Sequence, residues 1–127
     1  MICLDTNVLI DILREDTDTS ELEERLEKED VCITAVTLFE LWCGVLMRGS
    51  EREIRIISAI ADAFDVLSLD KEASRLSAEI YVSSKRSGFE IPPLDALIAG
   101  IAKRHGVKLG TRDRQFSRVD GLEVVFL

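Results

Sequence analysis

Residues 1–11 read MICLDTNVLID, and the middle of this stretch decides the fold. Ile2 to Leu4 suit a buried strand, and Val8 to Ile10 are just as apolar. Asp5, Thr6 and Asn7 stand between them. Burying a carboxylate is costly unless it is paired, hydrogen-bonded or bound to a cation. Placing one where a hydrophobic strand gives way to a hydrophobic helix therefore marks a strand end with a task.

Outward from that stretch, apolar runs alternate with helical periodicities, the pattern of an α/β chain. A short helix is expected from about Val8 to Leu13. Ser20 and Glu23 have the spacing of a capping box opening a charged helix to about Glu29. Val31 to Ile33 form a second strand, after which Thr34 opens a helix to about Met47 that Gly49 ends. Ser50 and Glu53 repeat the box before Ile54, Ile57, Ala61 and Phe64 recur at helical spacing. Val66 to Leu69 suit a strand. Asp70 caps a long helix with Ala73, Leu76 and Ile80 on one face, and Gly88 stops it. Pro92-Pro93 starts a further helix, along which Leu94, Leu97, Ile98, Ile101 and Ala102 share one face until Gly106. Val107 to Leu109 and Leu122 to Phe126 supply the last strands. The expectation is a mostly parallel sheet covered on both faces by helices. Function in such sheets gathers at the carboxyl ends of the strands. That edge should hold Asp5, Thr34 and the run Thr111-Arg112-Asp113.

At 127 residues, 46% hydrophobic and 31% charged, the chain is expected to form one domain over residues 1–127. Asp5 and Asp11 interrupt the apolar start, which argues against a secretory signal. No stretch approaches the roughly 20 apolar residues of a membrane span, so a cytoplasmic protein is expected. Cys3, Cys32 and Cys43 each lie beside apolar residues without CxxC spacing, and buried free thiols are expected. His105, following Lys103 and Arg104 and preceding Gly106, fits a helix C-terminus. The net charge of −8 disfavours direct binding of DNA by the chain alone. A polyanion would have to be met through a divalent cation.

With 24 acids in the chain, one carboxylate proves nothing, and its surroundings must carry the case. Asp5 lies between two apolar runs, and Glu40 lies inside Val36-Thr37-Leu38-Phe39-Glu40-Leu41-Trp42. Asp95 stands between Leu94 and Ala96-Leu97-Ile98, and Asp113 follows a strand end. The run Glu21, Glu23, Glu24, Glu27, Glu29 and Asp30 instead reads as a solvated face. Each candidate has a purely structural reading. Asp5 would cap the next helix, and Glu40 would complete a capping box with Thr37. Asp95 would favour the positive end of its helix, and Asp113 would organise a turn. Together, four carboxylates on one edge would repel one another unless a cation held them. Oxygen donors without a His or Cys pair suit Mg²⁺ or Mn²⁺ rather than zinc. Thr6, Asn7 and Thr111 could then hydrogen-bond the ligating oxygens or the bound waters. Such a site, with no phosphate-binding Gly-rich loop nearby, suits hydrolysis of a nucleic-acid backbone.

The segments LDTNVLID (4–11), TAVTLFELWCG (34–44), PLDALIAGIAKRHG (93–106) and TRDRQF (111–116) resemble the PIN-domain family. More narrowly, they are similar to VapC-type toxins of type II toxin–antitoxin systems. The likeness spans essentially the whole chain. It implies a three-layer α/β/α sandwich and an Mg²⁺- or Mn²⁺-dependent ribonuclease, usually homodimeric, that cleaves RNA. Carried over motif by motif, the acidic site would be Asp5, Glu40, Asp95 and Asp113, the four acids already singled out. Thr6, Asn7 and Thr111 would be its polar neighbours. A cognate VapB-like antitoxin is implied, and an acidic groove would attract its Arg- or Lys-bearing tail. Phe39, Trp42, Leu46 and Met47 are candidates for a partner or dimer groove, or for plain core packing. Two departures stand out. Gly100 replaces a more usual alanine, which would loosen helix packing, and Arg114-Gln115 follow Asp113 where some relatives carry another acid.

Two rivals remain to be weighed. A dehalogenase-like phosphatase would need an acid at Asn7. A non-catalytic PIN scaffold, binding protein or RNA, would be expected to have lost site acids, and all four are present. Lys85, Arg86, Arg112 and Arg114 could touch phosphates or be solvated.

Overall fold

Five strands build one all-parallel sheet in the order β3-β2-β1-β4-β5. They are β1 (Ile2–Leu4), β2 (Val31–Thr34), β3 (Asp65–Leu67), β4 (Lys108–Thr111) and β5 (Val124–Phe126). The structure is a computed structural model that describes residues 1–14 and 18–127. Among the described residues, six helices connect the strands: α1 (Thr6–Leu13), α2 (Ser20–Leu26), α3 (Ala35–Arg48), α4 (Glu51–Ala63), α5 (Lys71–Ser87) and α6 (Pro93–His105). A 3₁₀ turn, Arg114–Arg118, follows β4.

The alternation of side chains along each strand sorts the core into two halves. Cys3, Cys32 and Leu109 face one layer, packed with Ile80, Ile98, Ile101 and Phe116. Ile2, Leu4 and Ile33 face the other, packed with Val8, Leu41, Val45 and Ile57. Helices thus cover both faces, and the three-layer α/β/α sandwich is the observed architecture. Parallel strands covered on both sides have no polar face, which is why β1 and β2 are apolar throughout.

Local signals account for most helix ends. Thr34, Ser50 and Asp70 accept hydrogen bonds from the backbone N–H of Thr37, Glu53 and Ala73. The Ser20–Glu23 box does not form. Thr19 is the N-cap, its hydroxyl donates to the Glu23 carboxylate, and Ser20 instead donates to Asp18. Helix α2 also ends at Leu26, short of Glu29, and α1 begins at Thr6 rather than Val8. Strand β3 starts at Asp65, because it pairs in register with Cys32 to Thr34 of β2. Strand β4 runs to Thr111, pairing with β5 through Phe126, so Thr111 belongs to the strand and not to the turn after it.

Two expectations need correcting. Cys3 and Cys32 are buried side by side, but Cys43 is exposed, because it lies on the outer face of α3. Gly100 does not loosen the packing of α5 against α6. A Cβ there would stand 1.9 Å from Ser77 Oγ and 2.7 Å from its backbone nitrogen, so the glycine is what lets the helices approach. Among the described residues, no helix is long and apolar enough to cross a membrane.

Candidate active site

The strand order reverses direction at β1, which has β2 on one side and β4 on the other. Ligands in open parallel sheets bind outside the carboxyl ends of the strands at such a switch point. Asp5 follows β1 there and Asp113 follows β4. The two strands are tied by the Asp5 N–H, which donates to the Gly110 carbonyl at 2.9 Å.

Asp5 does cap α1, as the structural reading held, but its carboxylate also faces β4. One oxygen accepts the Thr6 N–H at 2.8 Å, and the other accepts the Thr111 hydroxyl at 2.9 Å. The same Thr111 oxygen accepts the backbone N–H of Asp113 at 3.0 Å. One threonine therefore joins two of the acids. Asp5 is buried, and burial raises its carboxyl pKa, as does the charge of Asp113. The bonds from Thr111 and Thr6 work in the opposite direction.

Glu40 is brought in by α3. Thr6 Oγ lies 2.7 Å from a Glu40 carboxylate oxygen and 3.0 Å from Thr37 Oγ. Thr37 Oγ in turn lies 3.3 Å from Thr34 Oγ. Each hydroxyl has one proton to give, and the charged acceptor is the stronger one. Thr6 therefore donates to Glu40, and Thr37 donates to Thr6. Thr34 and Thr37 are fully buried, so this hydroxyl chain orders Glu40 from within the core. Thr37 was read only as a possible cap. The signal available was a pair of threonines three residues apart opening a helix otherwise rich in apolar residues.

Asp95 sits in the first turn of α6, behind Pro92 and Pro93. The positive end of a helix normally favours a charged carboxylate. Asp95 is nevertheless pushed up to about 6, by burial first and then by the charges of Asp5, Glu40 and Asp113. Asp113 caps the 3₁₀ turn through the Gln115 N–H at 2.9 Å and is exposed. All four acids thus act on one region at the strand ends.

The other expected participants divide. Thr6 and Thr111 are buried and bonded to site acids, whereas Asn7 is exposed and bonds none of the four acids among the described residues. Arg112 pairs with Asp11 of α1, Arg114 stacks over Phe126 at 4.5 Å, and Lys85 lies over Tyr81 at 4.8 Å. Phe39, Leu46 and Met47 are exposed, while Trp42 packs against the core. A groove of about 300 Å³ runs between α1, α3 and α4 and includes Glu40 in its lining, along with Ile10, Leu13 and Ile56.

The donor set is oxygen only, and the carboxyls of Asp5 and Asp95 are raised first by burial and then by neighbouring acids. Both features fit a hard divalent cation. Among the described residues, no three His, Cys, Asp or Glu side chains are placed close enough together to hold a metal ion between them. Mg²⁺ commonly takes only one or two carboxylates, keeping water and substrate oxygens for the remaining positions.

The PIN-domain family profile matches residues 2–122, and the chain belongs to that family. Over 121 residues it is 32% identical to the tRNA(fMet)-specific endonuclease VapC of Shigella flexneri, covering 94% of this chain and 92% of that one. Ribonuclease VapC5 of Mycobacterium tuberculosis is 30% identical over 105 residues, covering 80% and 77%. Among solved structures, DNA-bound VapBC from Salmonella typhimurium superposes with a TM-score of 0.86 at 27% identity, covering 98% of this chain and 96% of that one.

Proposed function

We propose that this chain is a divalent-cation-dependent endoribonuclease and the toxin member of a toxin–antitoxin pair. The observation that supports the reading is the hydrogen-bond network at the strand ends, where Thr111 links the Asp5 carboxylate to the Asp113 backbone and Thr6 bonds both Asp5 and Glu40. Asp95 feels the charge of all three others. The VapC names of relatives at 30% identity and above support the reaction class.

Asp5, Glu40, Asp95 and Asp113 would hold Mg²⁺ or Mn²⁺. Bound among them, the ion supplies charge to polarise a phosphodiester and to lower the pKa of a water nucleophile. The chain's own residues do the orienting. Thr111 fixes Asp5 against Asp113, and Thr6 fixes Glu40. Asn7, exposed on the first turn of α1, is free to meet substrate or water. No side-chain nucleophile and no histidine is required.

The groove that opens on Glu40 is mainly apolar, with Arg14 and Arg48 beside Glu40 and Glu53, and it suits an antitoxin segment with apolar side chains. Contact with DNA would then come through that partner; a similar VapBC complex was solved bound to DNA. The exposed apolar residues of α3 offer a face for a homodimer, and the reading carries with it a cytoplasmic site of action.

The test is cleavage of unfractionated tRNA with added Mn²⁺. Wild type should cleave, EDTA should stop it, and Asp5→Asn should be inactive while keeping its circular dichroism spectrum. Cleavage by Asp5→Asn at the wild-type rate would refute the assignment. Binding of tRNA without cleavage would instead support a non-catalytic PIN scaffold.

A further inference from the structure

Gln115 has no place in the chemistry above, yet its bonds reach two parts of the site. Its backbone N–H donates to Asp113 at 2.9 Å. Its side-chain nitrogen lies 2.9 Å from the Phe89 carbonyl and 3.4 Å from the Glu90 carbonyl. Both partners are acceptors, so only an amide nitrogen, with two protons to give, satisfies them. A carboxylate here would face two carbonyl oxygens with nothing to donate.

The turn it grips is a constrained one. Gly88 ends α5, and the Phe89 N–H donates back to the Ser84 carbonyl. Glu90 has φ +26°, the only positive φ outside glycine among the described residues. Side chains other than glycine avoid that region unless neighbouring bonds impose it. The buried Ile91 follows, its N–H donating to Ser84 Oγ at 3.1 Å. Pro92 and Pro93 then lead directly into the first turn of α6, which carries Asp95. With φ locked at two successive prolines, little slack separates Glu90 from Asp95.

We propose that Gln115 is a positioning residue, locking the Phe89–Glu90 turn, and with it the start of α6, to the Asp113 turn. It sets the spacing of Asp95 from Asp113 across an edge that no backbone ladder spans. This role rests on the nuclease reading for its effect on rate, but the tether itself can be measured without turnover.

The test uses the whole chain with Gln115→Met, which keeps bulk and loses the donor, and Gln115→Glu, which reverses the polarity. Unfractionated tRNA is the substrate, and Mn²⁺ binding is followed by the resonance signal of the free ion. For both variants kcat should fall about tenfold or more, with KM within about twofold, the signature of an effect on the reacting arrangement. The apparent Mn²⁺ dissociation constant should rise about threefold or more, as outer contacts of a metal site typically dictate. Amide exchange at Phe89 and Ile91 should quicken about tenfold, with the melting temperature held within a few degrees. Gln115→Met matching wild type in kcat, Mn²⁺ affinity and exchange would overturn the proposal. So would losses that simply track global unfolding in both variants. A wild type that fails to cleave tRNA while the variants still alter exchange and Mn²⁺ affinity would sink the nuclease reading and leave the tether standing.

Discussion

Asp95 has a consequence that reaches beyond cleavage. With its carboxyl raised to about 6, the folded chain holds this proton more tightly than the unfolded chain does. Between about pH 4 and 6 the native state therefore binds more protons, and the stability tied to Asp95 falls as pH rises through that window. The loss, after discount for partial exposure, is about 1–2 kcal/mol and is complete above pH 6. Asp95→Asn should accordingly melt higher than wild type at pH 7.5 in EDTA and match it at pH 4. Added Mn²⁺ should reverse the order at pH 7.5, because only wild type gains a ligand. Parallel melting curves across this range would contradict the account. The four proposed site acids stand out in the sequence because a carboxylate inside an apolar run needs a reason. Thr37 and Gln115 do not, because their meaning lies in partners 31 and 26 positions away: the Thr34–Thr37 spacing marks a helix start but not its bond to Thr6, and nothing local sets Gln115 apart from a surface glutamine.

Elements were legible to the extent that their ends are decided locally. The caps at Thr34, Ser50 and Asp70 formed as their side chains dictate, whereas Ser20 lost to Thr19. Strand ends were misjudged by one or two residues, because pairing with a neighbour decides them, not propensity. The packing of α5 on α6 is the clearest case of an element-scale property hidden from sequence. Alanine is favoured over glycine in a helix by about 1 kcal/mol. Here, though, the added methyl at Gly100 would meet Ser77 backbone at 2.7 and 2.8 Å, and backbone cannot rotate aside. Overpacking of this kind typically costs about 1–3 kcal/mol. Gly100→Ala should therefore lower Tm by several degrees in thermal melts. Ser77→Gly in the same chain should restore only part, since it removes the hydroxyl contact at 1.9 Å but not the backbone ones. A Gly100→Ala chain as stable as wild type would mean the helices can part freely.

At the scale of the whole molecule, the charge of −8 separates two kinds of partner. A basic protein that grips RNA through Lys and Arg releases counterions, and its affinity falls steeply with salt: about 10³-fold or more between 50 and 200 mM for six or more phosphate contacts. Among the described residues, the two arginines that flank Asp113 are both engaged. Arg112 is held by Asp11, and Arg114 lies over Phe126. On the proposed function, substrate attraction would then come mainly through a divalent ion held at the strand ends. The KM for tRNA at fixed Mn²⁺ should consequently rise by less than about tenfold over the same salt range. A cationic antitoxin segment faces the opposite situation, since the acidic surface steers it, and its association rate should drop steeply over the same salt steps. Measuring both on one preparation separates a weak dependence for RNA from a strong one for the basic partner. A steep salt loss in the KM for tRNA would transfer substrate binding from the metal to arginine and lysine side chains.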